Sequence, residues 1–393
     1  MRLLTLTHLF PFPPDTGGKI VASQTIVCLA RHATLDVCTF LAPWTRAVDV
    51  DALRLVADGV VVVPLPRRSP YLWPLAAGRG RPYLIWRDES ARMRARVAEL
   101  YRRGPDLLFA DSLHVAGYVS VLRGPKILQE HNVESYLVDR HVRVHRSRIV
   151  RMAGAVEAAN LARYERDTCN SFDAVIALSD EDRDRLRALG VRSRIEVIPP
   201  SVEAVEPVPD DGRRRIVHIG TGHWPPIAEG LRWYLREIHP LVRAALPGVE
   251  TCLAGPPPSF LALGARDGGV TVAGYVDDLE PIYRSTAVFI VPLLVGGGVR
   301  LKIMHALARG LAVVSTSPGC DGLRLEHGRH LLVADEPRAF ADAVTAVVRD
   351  AALRRRLGEE GRAAVLDRYG VERRCAALAA LVREVAGRRI TER

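Results

Sequence analysis

Residues 296–305 read GGGVRLKIMH: three glycines, then Arg300, Lys302 and, one helical turn later, His305. Gly296, Gly297 and Gly298 have no Cβ, so backbone N–H groups there can come close to a ligand. The apolar run AVFIVPLL precedes them and the helical pattern RLKIMHALARG follows. A helix start carries unpaired N–H groups and a partial positive charge. Arg300 and Lys302 add two full charges to it. Together these features describe a pyrophosphate site. The plainer alternative is a strand-to-helix turn with two solvated cations. His305 falls on the same helix face as Lys302, one turn deeper. It would meet the sugar attached to the phosphates, unless it is a half-buried histidine with no ligand.

The chain favours arginine heavily: of 55 basic residues only Lys19, Lys126 and Lys302 are lysines. A lysine in such a chain marks a place that wants a compact point charge and not a planar fork. Lys19 and Lys302 both follow glycine-rich turns, PPDTGGK and VGGGVRLK.

The elements that must hold these residues alternate throughout, short apolar runs with longer helical patterns. That is the mark of parallel sheets with crossover helices. In the first half RLLTLTHL, LDVCTFLA, VVVVPLP, DLLFAD, PKILQEHN and DAVIALS read as strands, and IVASQTIVCLARH as a helix. DLLFAD ends at a loop with Asp111, Ser112 and His114, and PKILQEHN ends in polar residues. A long amphipathic stretch runs from about Arg146 to Asp167. Ser179 with Asp182 predicts a helix N-cap, and Gly190 the end of that helix. Periodicity is then lost in a proline-rich linker near 199–213. A second series follows: RIVHIG, VETCLAG, VTVAGYV, AVFIVPLL, LAVVSTS and HLLVAD. Two doubly wound α/β domains are expected, with a cleft between the carboxyl ends of their strands where ligands bind.

A length of 393 residues suits two domains. Six scattered cysteines, with no Cys-x-x-Cys pair and no histidine cluster at ligand spacing, predict reduced thiols and neither a disulfide nor a zinc site. No apolar run reaches the ~18 residues of a membrane helix. The opening MRLLTLTHLFPFPP is too quickly broken by proline for a signal peptide. A cytoplasmic protein is expected. The net charge of +10 is concentrated: residues 67–103 hold ten arginines against three acids, and residues 140–166 seven against two. Neither stretch carries a nucleic-acid motif. An acidic substrate, an anionic membrane surface or a solvated helical face remain as readings.

The stretches VHIGTGHWPPIAEGLRWYLREIHPLVRAALPGVETCLAGPPPS and GYVDDLEPIYRSTAVFIVPLLVGGGVRLKIMHALARGLAVVSTSPGCDGL resemble the nucleotide-binding half of retaining GT-B glycosyltransferases of the glycosyl transferase group 1 family. The likeness is to their glycine-rich GGGxRxK branch. PFPPDTGGK, QEHNVES and FDAVIALSDEDRDRL agree less densely with the first half. The resemblance implies an acceptor-binding Rossmann-like domain at 1–203 and a nucleotide-sugar domain at 204–370. It also implies a last helix, within 371–393, that packs back on the first domain. Donor sugars on uridine, guanosine or thymidine diphosphate are implied, with no cofactor, no essential metal and no nucleic acid. The acceptor would be a glycan or secondary metabolite.

By position, Arg300 and Lys302 match the cations that neutralise the leaving diphosphate. Gly296, Gly297, Gly298, Gly220 and Val276 fall on the donor side, Val276 at the nucleobase contact. Gly17 and Gly18 match the glycine turn facing the donor phosphates, with Lys19 close by. Asp111 and His114 lie where the family keeps acceptor-side and catalytic residues. His131, Asn132 and Glu134 match its HNxE segment. Two departures stand out. His305 occupies the place of a ribose-binding glutamate, and GTGHWPP replaces the usual Arg/Lys pair after the first strand of the nucleotide domain. Either donor binding is weaker, or the donor is not an ordinary ribonucleotide. The alternatives to a transferase are a nucleotide-binding helper subunit without turnover, and a GT-B epimerase or hydrolase.

Overall fold

A computed structural model describes the chain apart from residues 44, 67, 144–146, 210–214, 221, 223–224, 258–267 and 388–393. The chain divides into two compact units, one of Met1–Ser201 with the described residues from Glu372 onward, the other of Val202–Val371.

The first unit is built on β1 (Arg2–Thr7), β2 (Thr34–Leu41), β3 (Gly59–Pro64), β4 (Leu107–Asp111), β5 (Lys126–Gln129), β6 (Ala174–Ala177) and β7 (Arg194–Val197). They form one parallel sheet in the order β3-β2-β1-β4-β5-β6-β7. Every residue of β4 and β6 is buried. Helices cover both faces of such a sheet, so its strands read as continuous apolar runs. Leu4, Leu6, Leu108, Leu128 and Val175 carry the core between sheet and helices. The second unit repeats the plan with β8 (Arg215–Ile219), β9 (Glu250–Ala254), β10 (Val270–Gly274), β11 (Thr286–Val291), β12 (Val313–Ser315) and β13 (Leu332–Val333). The order is β10-β9-β8-β11-β12-β13, again parallel.

In both sheets the strand order reverses beside the first strand, between β1 and β4 and between β8 and β11. Crossovers leave in opposite directions there, so the loops after these strands diverge and open a crevice. Each sheet is thus doubly wound, as expected from the alternation of elements. The cap at Ser179 is present, its Oγ accepting from the Asp182 N–H at 3.1 Å. Gly190 ends that helix in a left-handed conformation, at φ 96°.

Three expectations are corrected. The strand β7 was not anticipated: its sequence RIEV alternates polar and apolar residues because it is an edge strand, paired with β6 alone. The amphipathic stretch forms a helix over Arg148–Cys169, and its expected start at Arg146 lies outside the described residues. Most importantly, the cysteines are not all free. Cys28, in the helix Gly17–Ala30, is bonded to Cys375 in the helix Val371–Gly387, with Cα atoms 4.9 Å apart. The two cysteines lie 347 residues apart and neither belongs to a Cys-x-x-Cys pair, so spacing gave no hint of the bond.

Candidate functional site

At the switch point of the second sheet, the loop after β8 begins with Gly220 and the loop after β11 carries the glycines and cations. Gly298 is left-handed at φ 73°, a conformation that favours glycine. Gly296 is required for another reason: a Cβ there would lie 2.3 Å from the Pro318 carbonyl oxygen. Its bareness therefore serves packing against the neighbouring loop. The helix after the loop runs Leu301–Ala308, with Arg300 at its N-cap.

Lys302 turns inward from the first turn of this helix. Its Nζ is buried and has no hydrogen-bond partner among the described residues. Burial, aided by the charge of Arg300, pushes it down to about 7. A Cβ on Gly220 would sit 2.3 Å from that Nζ and 3.2 Å from His218 Nε2. Gly220 thus lets a cation reach the end of β8. His305 lies behind Lys302. Burial and then Arg309 push its imidazole down to about 4, so it is neutral. Arg309 donates to the His305 carbonyl at 3.2 Å and pairs with Glu280 at 3.0 Å. Val276 follows β10 in an irregular segment and is half-buried. Thr221, His223 and Trp224 of GTGHWPP lie outside the described residues.

At the switch point of the first sheet, β1 is followed by His8 and β4 by Ser112 and His114. Asp111 is the last residue of β4, buried in the strand and not in a loop. His114 lies in the first turn of the helix Leu113–Val119, whose N-cap Ser112 has φ 131°. For a residue with a Cβ this is a strained backbone. His114 stacks on His8 with centroids 4.1 Å apart and planes at 7°. Asp88 Oδ2 lies 3.0 Å from His8 Nε2 and 3.7 Å from His114 Nδ1. Burial works against the Asp88 charge, but His8 and Arg87 hold its carboxyl below the usual range. Burial, then the charges of His8, Arg87 and His131, push His114 far below an ordinary imidazole, so it is neutral. These three side chains are the one group of potential metal ligands among the described residues, with ligand atoms within 4.8 Å of one another. Their spacing in sequence, 8, 88 and 114, forms no recognisable motif.

Asp111 joins the HNxE segment instead of His114. His131 Nε2 is 2.8 Å from Asp111 Oδ1, and Gln129 Nε2 donates to the same oxygen. A Cβ on Gly18 would be 3.5 Å from His131 Nδ1, so Gly18 faces His131. Gly17, Gly18 and Lys19 form the first turn of the helix Gly17–Ala30, and Lys19 pairs with Asp15 at 2.9 Å. Behind them sits Arg374, 3 % exposed. It donates to Gln129 Oε1 at 3.0 Å, Thr25 Oγ1 at 2.8 Å, and the carbonyls of Ile198 and Pro199 at 3.0 and 2.6 Å. Burial pulls this guanidinium down to about 10, although the Asp111 charge opposes the change. Glu134 and Ser135 open the helix Glu134–Arg143. Their N–H groups donate to Glu165 at 2.7 and 3.2 Å, a carboxylate cap supplied by another helix. Burial pushes the Glu134 carboxyl up, although His131 and Asn132 act the other way.

His8, Asp88, His218 and Arg374 are the residues that sequence reasoning missed. His218 alone left a signal, as a polar residue inside the apolar strand RIVHIG.

Residues 213–350 match the family model described as Glycosyl transferases group 1, and residues 21–206 match Glycosyltransferase Family 4. A curated protein of Klebsiella pneumoniae, the uncharacterized 44.6 kDa protein in cps region, is 27% identical over 190 residues. That match spans 45% of this chain and about half, 47%, of the relative's length. Sucrose-phosphate synthase from Thermosynechococcus elongatus superposes with a TM-score of 0.72 at 17% identity, covering 98% of this chain and 99% of its own. HepE of Anabaena, solved with UDP-glucose, gives 0.67 at 16% identity over 98% of this chain and 100% of its own. S. aureus TarM, solved as a G117R mutant with fondaparinux, alpha-GlcNAc-glycerol and UDP, gives 0.69 at 11% identity, covering 96% and 99%. At these identities the likeness is one of fold.

Proposed function

Because both halves of the chain match glycosyltransferase family models on a GT-B fold, we propose that it is a retaining, metal-independent glycosyltransferase. It moves a hexosyl unit from a nucleoside-diphosphate sugar to a hydroxyl or amine of a glycan or secondary metabolite. The observation that carries this reading is Lys302, whose buried, unpartnered Nζ stands at the switch point of the second sheet beside Gly220.

Departure of a nucleoside diphosphate builds negative charge on the leaving oxygen. Arg300, Lys302 and the start of the helix Leu301–Ala308 stabilise it electrostatically, and such preorganised groups are worth most in a dry site. The departing phosphate oxygen takes the acceptor's proton, so the acceptor is activated on the face the diphosphate leaves. The anomeric configuration is thereby retained. The donor base lies near Val276 and the donor sugar under Gly296–Gly298, with His305 on the ribose. In the first unit, His114 and Asp111 orient donor or acceptor, while His131, Asn132 and Glu134 shape the acceptor side near Gly17, Gly18 and Lys19. UDP and UDP-glucose in HepE, and the glycan ligands of TarM, support a nucleotide-sugar donor and a glycan acceptor. We place the protein in the cytoplasm, in peripheral contact with the membrane. Among the described residues no helix is long and apolar enough to cross a membrane.

Replacing Lys302 by Ala tests the reading. Release of nucleoside diphosphate from a sugar nucleotide should fall ~100-fold or more, the usual loss for one preorganised stabilising group, in a protein that still folds. Undiminished turnover in folded Lys302→Ala would remove the leaving-group role.

A further inference from the structure

His218 is the penultimate residue of β8, fully buried in the second sheet. Its Nδ1 is 2.9 Å from the Ile290 carbonyl oxygen on β11. A carbonyl only accepts, so Nδ1 carries the proton and Nε2 of the neutral ring presents a lone pair. That Nε2 has no partner among the described residues, and neither has Lys302 Nζ. Both nitrogens border the same small space, the place a Cβ on Gly220 would take. A histidine that merely filled the core would leave no polar atom idle, because buried polar groups are normally paired. Two idle nitrogens on different elements, both beside Gly220, indicate a ligand that is anionic and accepts hydrogen bonds.

The charges around the pair are few. Burial and then Arg300 push Lys302 down to about 7. Burial and then Lys302 push His218 well below an ordinary imidazole, with the Ile290 carbonyl acting the other way. No carboxylate of the described residues contributes to either group. An arginine in this place would be a permanent charge in a dry, unpaired setting, which is costly. A histidine and a lysine reduce that cost: before an anion arrives His218 is uncharged and Lys302, near 7, is charged only in part at neutral pH and mostly neutral at pH 8. This accounts for the missing Arg/Lys pair after β8: the strand supplies a base that titrates.

We propose that His218 is a third phosphate-binding group of the Arg300–Lys302 site, and that His218 and Lys302 each take up a proton from solvent as the diphosphate binds. Nε2 becomes N–H and the neutral amine becomes an ammonium, each then donating to a phosphate oxygen. No covalent bond to the ligand forms. This rests on the donor-site reading above and adds to it a linkage between binding and pH.

Titration calorimetry with UDP, GDP and thymidine diphosphate at pH 8, in Tris and in HEPES, measures the protons exchanged through the different ionisation heats of the two buffers. At that pH the free ligands are fully ionised, so uptake reports on the protein. More than one proton per ligand is expected in the wild type, about one or fewer in His218→Gln and in Lys302→Met. Wild-type affinity should weaken between pH 7.5 and 9 by up to about tenfold per pH unit for each proton taken up. The last measurement needs no variant, so a folding failure in either mutant leaves the test intact. Binding with no proton uptake and no pH dependence overturns the proposal, as does wild-type uptake in a folded His218→Gln. If none of the three diphosphates binds, the donor-site reading itself fails and takes this inference with it.

Discussion

His8 and His114 lie face to face, ring centroids 4.1 Å apart, with one oxygen of Asp88 3.0 Å from the first and 3.7 Å from the second. Burial and neighbouring positive charge keep the His114 imidazole neutral. Asp88 anchors His8 and, through the stack, holds His114 in place. Asp88→Asn keeps the shape but removes the charge. Turnover is expected to fall by about tenfold to 100-fold, because a small misplacement of a positioning group costs up to about 100-fold. An unchanged rate of nucleoside diphosphate release in a folded Asp88→Asn protein would show that the stack is structural.

The same three side chains bear on metal dependence. Imidazole rings within 7° of parallel send their lone pairs side by side, whereas a tetrahedral site needs them to converge. Turnover should therefore survive excess EDTA. A complete loss restored by zinc, magnesium or manganese would reassign His8, Asp88 and His114 as metal ligands.

Arg374 and Cys375 fasten the helix Val371–Gly387 to the first unit side by side. Arg374→Met would leave four acceptors of the buried network without their donor, at a cost of ~3 kcal/mol or more. Chemical denaturation should show that loss. Breaking the Cys28–Cys375 bond should cost ~2–4 kcal/mol, the usual effect of a native disulfide, and lower the melting temperature in the presence of TCEP. Cys375→Ser should show the same drop without reductant. Identical wild-type melting with and without TCEP would mean the thiols are reduced, as their scatter in the sequence suggests.

What could be read from the chain beforehand was local. The strands show as apolar runs because the central strands of both sheets are buried on both faces, and GGGVRLK shows because its chemistry lies within seven consecutive residues. His8 and Asp88 are 80 residues apart, and Arg374 reaches Gln129 across 245. Such meetings depend on how the whole first unit folds, which no window of sequence contains. His218 shows the opposite difficulty: a polar residue between Val217 and Ile219 is visible in the sequence, but only the idle Nε2 distinguishes it from a satisfied core histidine.

The helix Arg148–Cys169 exposes Ile149 by 79%, Met152 by 74% and Val156 by 46%. The spacing puts them on one helical stripe facing water, in a chain segment rich in arginine. Tyr71, 91% exposed, belongs to the other arginine-rich stretch. Apolar side chains flanked by cations suit an anionic lipid surface, where the first insert and the second pair with headgroups. Co-sedimentation with vesicles containing anionic phosphatidylglycerol should pull the protein down at low salt, and Ile149→Asp/Met152→Asp should weaken that binding at least tenfold. No binding at low salt would exclude the membrane contact.

On the proposed donor-site reading, His305 is placed to bias which nucleotide the site prefers. A glutamate in its place would accept from both hydroxyls of a ribose. Facing a deoxyribose, the carboxylate would keep its charge with one bond unmade, and an unpaired polar group costs ~1–3 kcal/mol, more when charged. Burial and Arg309 keep the His305 imidazole near 4, so at neutral pH it is uncharged and can serve one hydroxyl without penalty. Thymidine diphosphate should therefore bind at least as well as uridine diphosphate. In His305→Glu the new carboxylate would lie near Arg309, which now donates to the His305 carbonyl, and would be held ionised. Preference should then move toward the uridine ligand by about tenfold, as 1.4 kcal/mol corresponds to a factor of ten. Calorimetric titration of both proteins with both diphosphates reads this ratio directly. A wild type that strongly prefers uridine diphosphate, with the same ratio in His305→Glu, would show that residue 305 does not read the ribose.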